Sequence, residues 1–353
     1  MYRTLSPGAI DVSVSFEEGA RLAARYGFAG LALDAGHLLG EGAEAVRETL
    51  HTHGLKPGSF GLPVDLRGDD DAYEASLGRL ASVAEAARQV GCTRASTYIF
   101  SWSDERDYAA NFAFHQERLV PPAAILAEHG ISLGLEFLGP KTLRDGHPYG
   151  FIHTVREMLE LCDAVGPNVG LLLDAWHWYT SGHDPADLEL LSNQNVVDVH
   201  VNDAPAGIPV DEQVDSVRCL PGETGVVDLN RFLSSLQRIG YDGPVSERRL
   251  HTVRELLATL ASARTHPCWS PGRCGRPVRG VLRGTPVGSV ELAHERDTDT
   301  RLQGNAVRVR FVRQGAREGQ TSRHYDPAGV VAQRPKRFGS TPRPPNQRGS
   351  SRR

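Results

Sequence analysis

Short apolar runs alternate with longer amphipathic stretches through residues 1–264. The amphipathic stretches place apolar residues three and four positions apart, which predicts helices, and several are followed closely by a glycine, a common helix stop. Short apolar runs between such helices are typical of the strands of a parallel sheet. The predicted strands are AIDVS near residue 9, GLALD near 30, PGSFGL near 57, ASTYIF near 95, ISLGLEF near 131, VGLLLD near 169, VVDVHV near 196 and GPVS near 243. Eight strand–helix units predict an α/β fold, a closed (β/α)8 barrel.

The net charge of −4 conceals two different parts of the chain. Residues 1–264 contain 21 basic and 37 acidic residues, whereas residues 265–353 contain 18 basic and 6 acidic residues. The second part is rich in Arg, Pro and Gly without a sustained period, and such a composition buries too little apolar surface to offset chain entropy. We therefore expect a barrel domain over 1–264, closed by an amphipathic helix at 251–264. Residues 265–353 are expected to form a disordered basic tail, for which a reading-frame shift is one explanation.

The sequence predicts no membrane partner. The first residues lack a basic start followed by an apolar block, and no apolar run approaches the roughly 18 residues that a bilayer helix needs. We therefore expect a cytoplasmic protein. The oligomeric state is left open by the sequence.

Three residues able to bind a metal stand near the ends of three consecutive predicted strands: Glu136, Asp174 and His200. Catalytic groups of (β/α)8 barrels lie at the carboxyl ends of the strands, so these side chains are expected to converge. One such carboxylate alone is often a helix N-cap, but three metal-ligand types at matching places favour a metal site. Carboxylate and imidazole suit one divalent ion, Mn, Co, Mg or Zn. Such an ion can hold two neighbouring substrate oxygens and take up the charge of a forming enediolate.

The motifs GLEFLGPKTLR, VGLLLDAWHWY, VVDVHVND, RCLPGETGVVDL and GYDGPVS resemble those of the sugar phosphate isomerase/epimerase family, which has a xylose isomerase-like TIM barrel. The resemblance covers most of residues 5–246. In that family Glu, Asp, His and Glu after strands five to eight hold one metal, and the two Glu residues transfer protons on opposite faces of the substrate. The resemblance implies that Glu136, Asp174 and His200 are metal ligands and that Glu136 is also catalytic.

The same resemblance implies substrate contacts. His177 matches a family His that contacts a substrate oxygen and is expected to be catalytic as well, and Arg218 matches an Arg that binds substrate hydroxyls. The alternative interpretations are a loop histidine with its hydrogen bonds satisfied and an exposed loop arginine. Lys141 and Arg144 are either ligands of a substrate phosphate or carboxylate or a solvated pair. Trp176 is expected in the wall of the substrate pocket.

The eighth strand departs from the family pattern. Relatives read GPVSVE, with the ligand Glu two residues after the Ser, whereas this chain reads GPVSERR and has Glu247 directly after Ser246. A shift of one residue turns a strand side chain to the opposite face and brings Arg248 to the ligand position. Either a bulge returns Glu247 to the metal, as a fourth ligand and a second catalytic residue, or the site has three protein ligands with a cation beside it. In the second case we expect the chain to be weakly active or inactive.

These observations predict an isomerase or epimerase that removes a proton next to the carbonyl of a small polyhydroxy ketone or aldehyde. A metal-dependent dehydratase of inosose or dehydroshikimate and a degenerate noncatalytic member are the alternatives. AP endonucleases share the barrel but need further His ligands, which PGSFGLPVDL and ASTYIFSW lack, and an Asp-x-His pair, which VHVNDAPAG lacks. The acidic barrel domain would also repel a phosphate backbone, so we expect no specific nucleic-acid partner.

Overall fold

A computed structural model of the chain describes residues 1–10 and 12–247. The closing helix predicted at 251–264 and the disordered tail predicted at 265–353 lie outside the described residues. Among the helices that are described, none is both long enough and apolar enough to cross a membrane.

Eight parallel strands form a closed barrel in which each strand pairs with its neighbours in chain order and the last pairs with the first. The strands are β1 Tyr2–Leu5, β2 Gly30–Leu33, β3 Lys56–Gly61, β4 Arg94–Ile99, β5 Ser132–Phe137, β6 Val169–Asp174, β7 Val196–Val201 and β8 Pro244–Glu247. The (β/α)8 barrel predicted from the sequence is therefore confirmed, and seven of its eight strands lie where the apolar runs placed them.

The first predicted strand is wrong. The run near residue 9 begins in a 3-10 helix, Pro7–Ile10, and β1 lies earlier in the chain. Thr4 of β1 is 1% exposed and pairs with Ser246 of β8, so this strand turns polar side chains toward the barrel interior. A strand that is polar on its inward face lacks the apolar run by which the other seven strands are recognised.

Helices surround the barrel, and most begin at a side chain that accepts a hydrogen bond from the first turn, as expected for N-caps. The α-helices are α1 Phe16–Arg25, α2 Ala43–Thr52, α3 Asp70–Val90, α4 Tyr108–Glu128, α5 Val155–Val165, α6 Ala175–Thr180 and α7 Leu229–Arg238. Shorter elements are the 3-10 helices Lys141–Leu143, Pro185–Glu189 and Val210–Glu212 and the π-helix His37–Glu41. The loops after β4 and β5 are joined by an antiparallel pair of two-residue strands, Trp102–Ser103 and Tyr149–Gly150.

The carboxyl ends of the strands open onto a cavity of about 850 Å³. Its walls come mainly from the segments that follow β1, β2 and β3 and from the strands β2, β3 and β4 themselves, and Glu136 and His200 line it from the other side of the barrel. This cavity lies where the active sites of (β/α)8 barrels are found.

Candidate active site

Glu136, Asp174 and His200 lie side by side at this end of the barrel. Asp174 and His200 are register partners on β6 and β7, which places both at the same level. The Nδ1 atom of His200 lies 3.3 Å from Oε1 of Glu136 and 3.8 Å from Oδ2 of Asp174. Both carboxylates are buried, with Glu136 3% and Asp174 0% exposed. The structure thus brings together three residues that are distant in the sequence.

His177 reaches the same place because β6 runs directly into α6. The Asp174 carboxylate accepts a hydrogen bond of 2.7 Å from the backbone N–H of Trp176, and one turn of helix then carries His177 back over the strand end. Nε2 of His177 lies 3.9 Å from Oε1 of Glu136. Glu136, Asp174 and His177 form a buried group whose ligand atoms all lie within 4.8 Å of one another.

The ring of His177 is neutral and has a defined orientation. Its Nδ1 lies 3.2 Å from the backbone N–H of Gly139 and its Nε2 lies 3.2 Å from Nη2 of Arg218, so each ring nitrogen faces an N–H donor. A neutral imidazole accepts from one of these two donors. Burial lowers the pKa of His177, and Arg218 lowers it further, against the opposing effects of Asp174 and Glu136.

Arg218 compensates the buried charge of Asp174. Its Nη1 donates to Oδ2 of Asp174 at 2.9 Å, and its Nη2 donates to Oδ1 of Asp215 at 2.7 Å. Burial alone would raise the pKa of Asp174, but the charge of Arg218, together with a hydrogen bond from Asn202, holds the pKa well below its usual range. Nη2 of Arg218 also lies 3.2 Å from Nε2 of His177. Arg218 is 7% exposed and is therefore not the exposed loop arginine of the alternative interpretation.

Two residues that the sequence did not single out support this group. Asn202 donates to Oδ1 of Asp174 at 3.0 Å, and Asp198 lies with Oδ2 4.0 Å from Nε2 of His200. The fully buried Asp198 accepts a hydrogen bond from the hydroxyl of Ser59. Asp198 was detectable, because a residue two positions before His200 in a strand shares its face.

Three predicted substrate contacts lie elsewhere. The side chain of Lys141 is 51% exposed, with Nζ 3.7 Å from Oδ2 of Asp211. Arg144 donates to the carbonyl oxygen of Gly139 at 2.8 Å and so supports the loop after β5. Trp176 is fully buried under the Arg218 guanidinium, whose Cζ lies 5.4 Å from its ring centroid. None of these three side chains lines the described cavity.

Glu247 does not join the carboxylate group. β8 pairs with β7 in unbroken register, Ser246 opposite His200 and Glu247 opposite Val201. Paired residues of parallel strands share a face and successive residues alternate, so Ser246 faces inward with His200 and Glu247 faces outward. Burial raises the pKa of Glu247 to about 7, against the opposing charge of Arg3. No bulge interrupts the described part of β8, which ends at Glu247. Of the two alternatives, the described strand therefore favours a site with three protein ligands over one in which Glu247 is the fourth.

The donor set fits a divalent cation. One oxygen of each of two carboxylates lies within 4 Å of the same imidazole nitrogen, Nδ1 of His200. Carboxylate and imidazole are the ligand types that Mn, Co, Mg and Zn take in proteins. The buried Asp198 lies 4.0 Å from the far nitrogen of His200, on the side from which a carboxylate would orient a metal-binding histidine. Glu136, Asp174 and His200 are therefore the residues that would hold such an ion, with His177 adjacent.

Comparison with known proteins agrees with this architecture. The family profile described as xylose isomerase-like TIM barrel matches residues 20–260. Inosose isomerase of Bacillus velezensis is 25% identical over 202 residues, which cover 56% of this chain and 69% of that protein. Inosose isomerase of Halalkalibacterium halodurans is 33% identical over 123 residues, 35% of this chain and 40% of that protein. The 3-dehydroshikimate dehydratase of Pseudomonas putida is 29% identical over 132 residues, 37% of this chain and 20% of that protein.

Solved structures show the same fold. A xylose isomerase domain protein from Alicyclobacillus acidocaldarius has 28% identity and a TM-score of 0.65, covering 75% of this chain and all of that one. The IOLI protein with a bound zinc atom has 20% identity and a TM-score of 0.62, covering 75% of this chain and 96% of that one. The matched segments span less than half of the H. halodurans and P. putida proteins. Because the family profile covers well over half of the sequence, this chain belongs to the xylose isomerase-like TIM barrel family.

Proposed function

We propose that the protein is a divalent-metal-dependent sugar isomerase that removes a proton next to the carbonyl of a small polyhydroxy ketone or aldehyde. The observation that carries the proposal is the convergence of Glu136, Asp174 and His200 beside the cavity at the carboxyl end of the barrel. Names of similar proteins, which include inosose isomerases, agree with a small cyclic or open-chain polyol substrate.

The proposed metal is held by Glu136, Asp174 and His200. When bound, a divalent ion would supply Lewis-acid polarisation of the substrate carbonyl and so lower the cost of removing the neighbouring proton. Zinc and manganese are the ions to test first, zinc because the similarly folded IOLI protein contains it.

Glu136 is the proposed base. Its carboxylate is the one acidic group that both belongs to the buried cluster and lines the cavity, so it is available to the carbon–hydrogen bond of a bound substrate. A positioned carboxylate of this kind contributes about 10² to 10⁴ in rate.

His177 and Arg218 are the proposed partners of the substrate oxygen. Nη2 of Arg218 lies 3.2 Å from Nε2 of His177, which in turn lies 3.9 Å from Oε1 of Glu136. Neither side chain lines the cavity itself, and Glu136 connects them to it. A substrate oxygen that reaches this pair would accept a hydrogen bond from the guanidinium. Charge developing on that oxygen would be stabilised as in an oxyanion hole.

The outward direction of Glu247 favours transfer on one face of the substrate. A two-base epimerase needs a second proton carrier opposite Glu136, and Glu247 lies on the other side of β8. One base that moves a proton between adjacent carbons on the same face performs isomerisation. Dehydration begins with the same proton removal, and the match to 3-dehydroshikimate dehydratases keeps it as the second candidate.

The reaction is tested with an inosose in D2O, using protein loaded with Mn²⁺ or Zn²⁺ and a chelated sample beside it. We expect an isomer that carries solvent deuterium, formed only by the loaded protein. Loss of water to give an enone would assign the dehydratase instead. Absence of any product, of metal binding and of a gain in thermal stability on adding the ion would favour a noncatalytic member.

A further inference from the structure

An arginine that the sequence analysis did not single out lies on the wall of the cavity. Arg67 follows β3, and its Cζ lies 4.6 Å from the ring centroid of Tyr98 and 5.0 Å from that of Phe100. Its Nη2 donates to the hydroxyl of Tyr98 at 3.2 Å. Stacking on two rings and one hydrogen bond hold the guanidinium in place although Arg67 is exposed.

The charge of Arg67 has no carboxylate partner. In the described part of the chain no Asp or Glu oxygen lies within 4.0 Å of its guanidinium, and no other Arg or Lys lines the cavity. Two arginines of the neighbouring segments are paired, Arg118 with Asp70 and Arg106 with Glu105. Arg67 is thus a fixed cation that faces the cavity with its charge uncompensated.

Arg67 is connected to the catalytic group through Tyr98. Tyr98 of β4 is the register partner of Glu136 of β5, so both side chains project from the same face at the same level. Arg67, Tyr98, Glu136 and His200 all line one cavity, large enough for a substrate of sugar size. A ligand whose carbonyl lies at Glu136 and His200 therefore has Arg67 within the same space.

We propose that Arg67 is the recognition site for an anionic group, so that a polyhydroxy ketone bearing a carboxylate or a phosphate binds more tightly than a neutral one such as an inosose. The proposal rests on the proposed function, because it places the carbonyl at Glu136. The planar guanidinium fork matches both kinds of anion and can bind either with two parallel hydrogen bonds. Arg67 takes the role that the sequence suggested for Lys141 and Arg144, whose side chains lie outside the cavity walls.

The test measures binding by titration calorimetry with two pairs of probes. Each pair is an anion and a neutral counterpart of the same carbon skeleton, which differ in the charged group and in its size. One pair is 3-dehydroshikimate and its methyl ester, and the other is D-fructose 6-phosphate and D-fructose. We expect the wild-type chain to bind the anion of one pair roughly tenfold more tightly than its neutral partner, as for one charge-assisted bidentate contact. The pair that shows the preference identifies carboxylate or phosphate as the anion.

Arg67→Gln should reduce this preference to less than about twofold and leave binding of the neutral partner unchanged. Arg79→Gln is the matched control, since it removes the same charge from exposed Arg79 of the following helix, away from the cavity walls, and should preserve the preference. Equal affinity for both members of each pair in the wild-type chain, or a preference that survives in Arg67→Gln, would overturn the proposal. Because binding is measured without turnover, a failure of proton transfer leaves this result interpretable by itself.

Discussion

Replacement of Arg218 by methionine is expected to destabilise the folded barrel strongly, because it leaves the carboxylate of Asp174 buried without its cation. The pair is fully enclosed, with Asp174 0% and Arg218 7% exposed and 2.9 Å between Nη1 and Oδ2. Methionine retains most of the side-chain volume, so that lost charge rather than a new cavity dominates the change.

The size of the effect follows from the partners that remain. Removing one member of a buried ion pair costs about 3–5 kcal/mol. In Arg218→Met, Asn202 and the backbone N–H of Trp176 still donate to the other oxygen of Asp174. The expected cost in the free energy of unfolding is therefore near the lower end of this range, about 3 kcal/mol. Asp174→Asn should cost about 2 kcal/mol, since the Arg218 guanidinium still donates to the carboxylate of Asp215. The double variant should cost about 3 kcal/mol, which is a coupling of about 2 kcal/mol between the two positions.

The assay is urea unfolding of the four proteins at pH 7 in the presence of a chelator, with the free energy of unfolding taken from the midpoint and slope. Arg88→Met is the control, because Arg88 pairs with Glu85 on the exposed face of α3 and its loss should leave the free energy of unfolding nearly unchanged. If the cost of the double variant equals the sum of the costs of Arg218→Met and Asp174→Asn within about 0.5 kcal/mol, Arg218 does not compensate the charge of Asp174.

Two further variants test the register of β8 and the support of His177. Glu247→Gln should leave proton exchange unchanged and raise the free energy of unfolding at pH 8 by about 2 kcal/mol, as measured by urea unfolding across pH. The pKa of Glu247 is raised to about 7 in the folded state, so its contribution to stability is complete below its unfolded pKa and is lost as the pH rises through 7 and the carboxylate ionises. A large loss of proton exchange in Glu247→Gln would instead place Glu247 in the active site. Gly139→Ala should cost about 3 kcal/mol in thermal or urea unfolding, because an added Cβ would overlap the backbone carbonyl of His177, and unchanged stability would contradict this packing.

Sequence patterning located most of the barrel because its strands are buried on both faces. Strands such as β5 and β6 are near-continuous apolar runs, and the helices between them have apolar residues at helical spacing. β1 was misplaced because its inward residues are polar and are accommodated only by the closed barrel around them. That closure is a long-range property that a local pattern does not contain.

Candidate site residues could be predicted from the sequence where their position is set by the end of a strand. They could not be predicted where their position is set by the path of a loop. Glu136, Asp174 and His200 follow from their strand positions together with the alignment of strand ends in a barrel. Arg67 lies in a loop whose path is set by packing on Tyr98, so no spacing in the sequence places it at the cavity. The direction of the Glu247 side chain could be determined only from the register of β8 against β7. The sequence had indicated that Glu247 is shifted by one residue from the family's ligand position.

The proposed removal by Glu136 of a proton next to a carbonyl is measured directly by the exchange of that proton with solvent. The measurement follows an inosose in D2O by proton NMR with metal-loaded wild type, Glu136→Gln and the control Glu128→Gln, which alters an exposed carboxylate at the end of α4. Wild type and Glu128→Gln should exchange the carbon-bound proton with solvent, and Glu136→Gln should exchange it about 10² to 10⁴ times more slowly. Equal exchange rates in all three proteins, or conversion of the substrate without any deuterium uptake, would contradict this proposal, the latter in favour of a hydride shift.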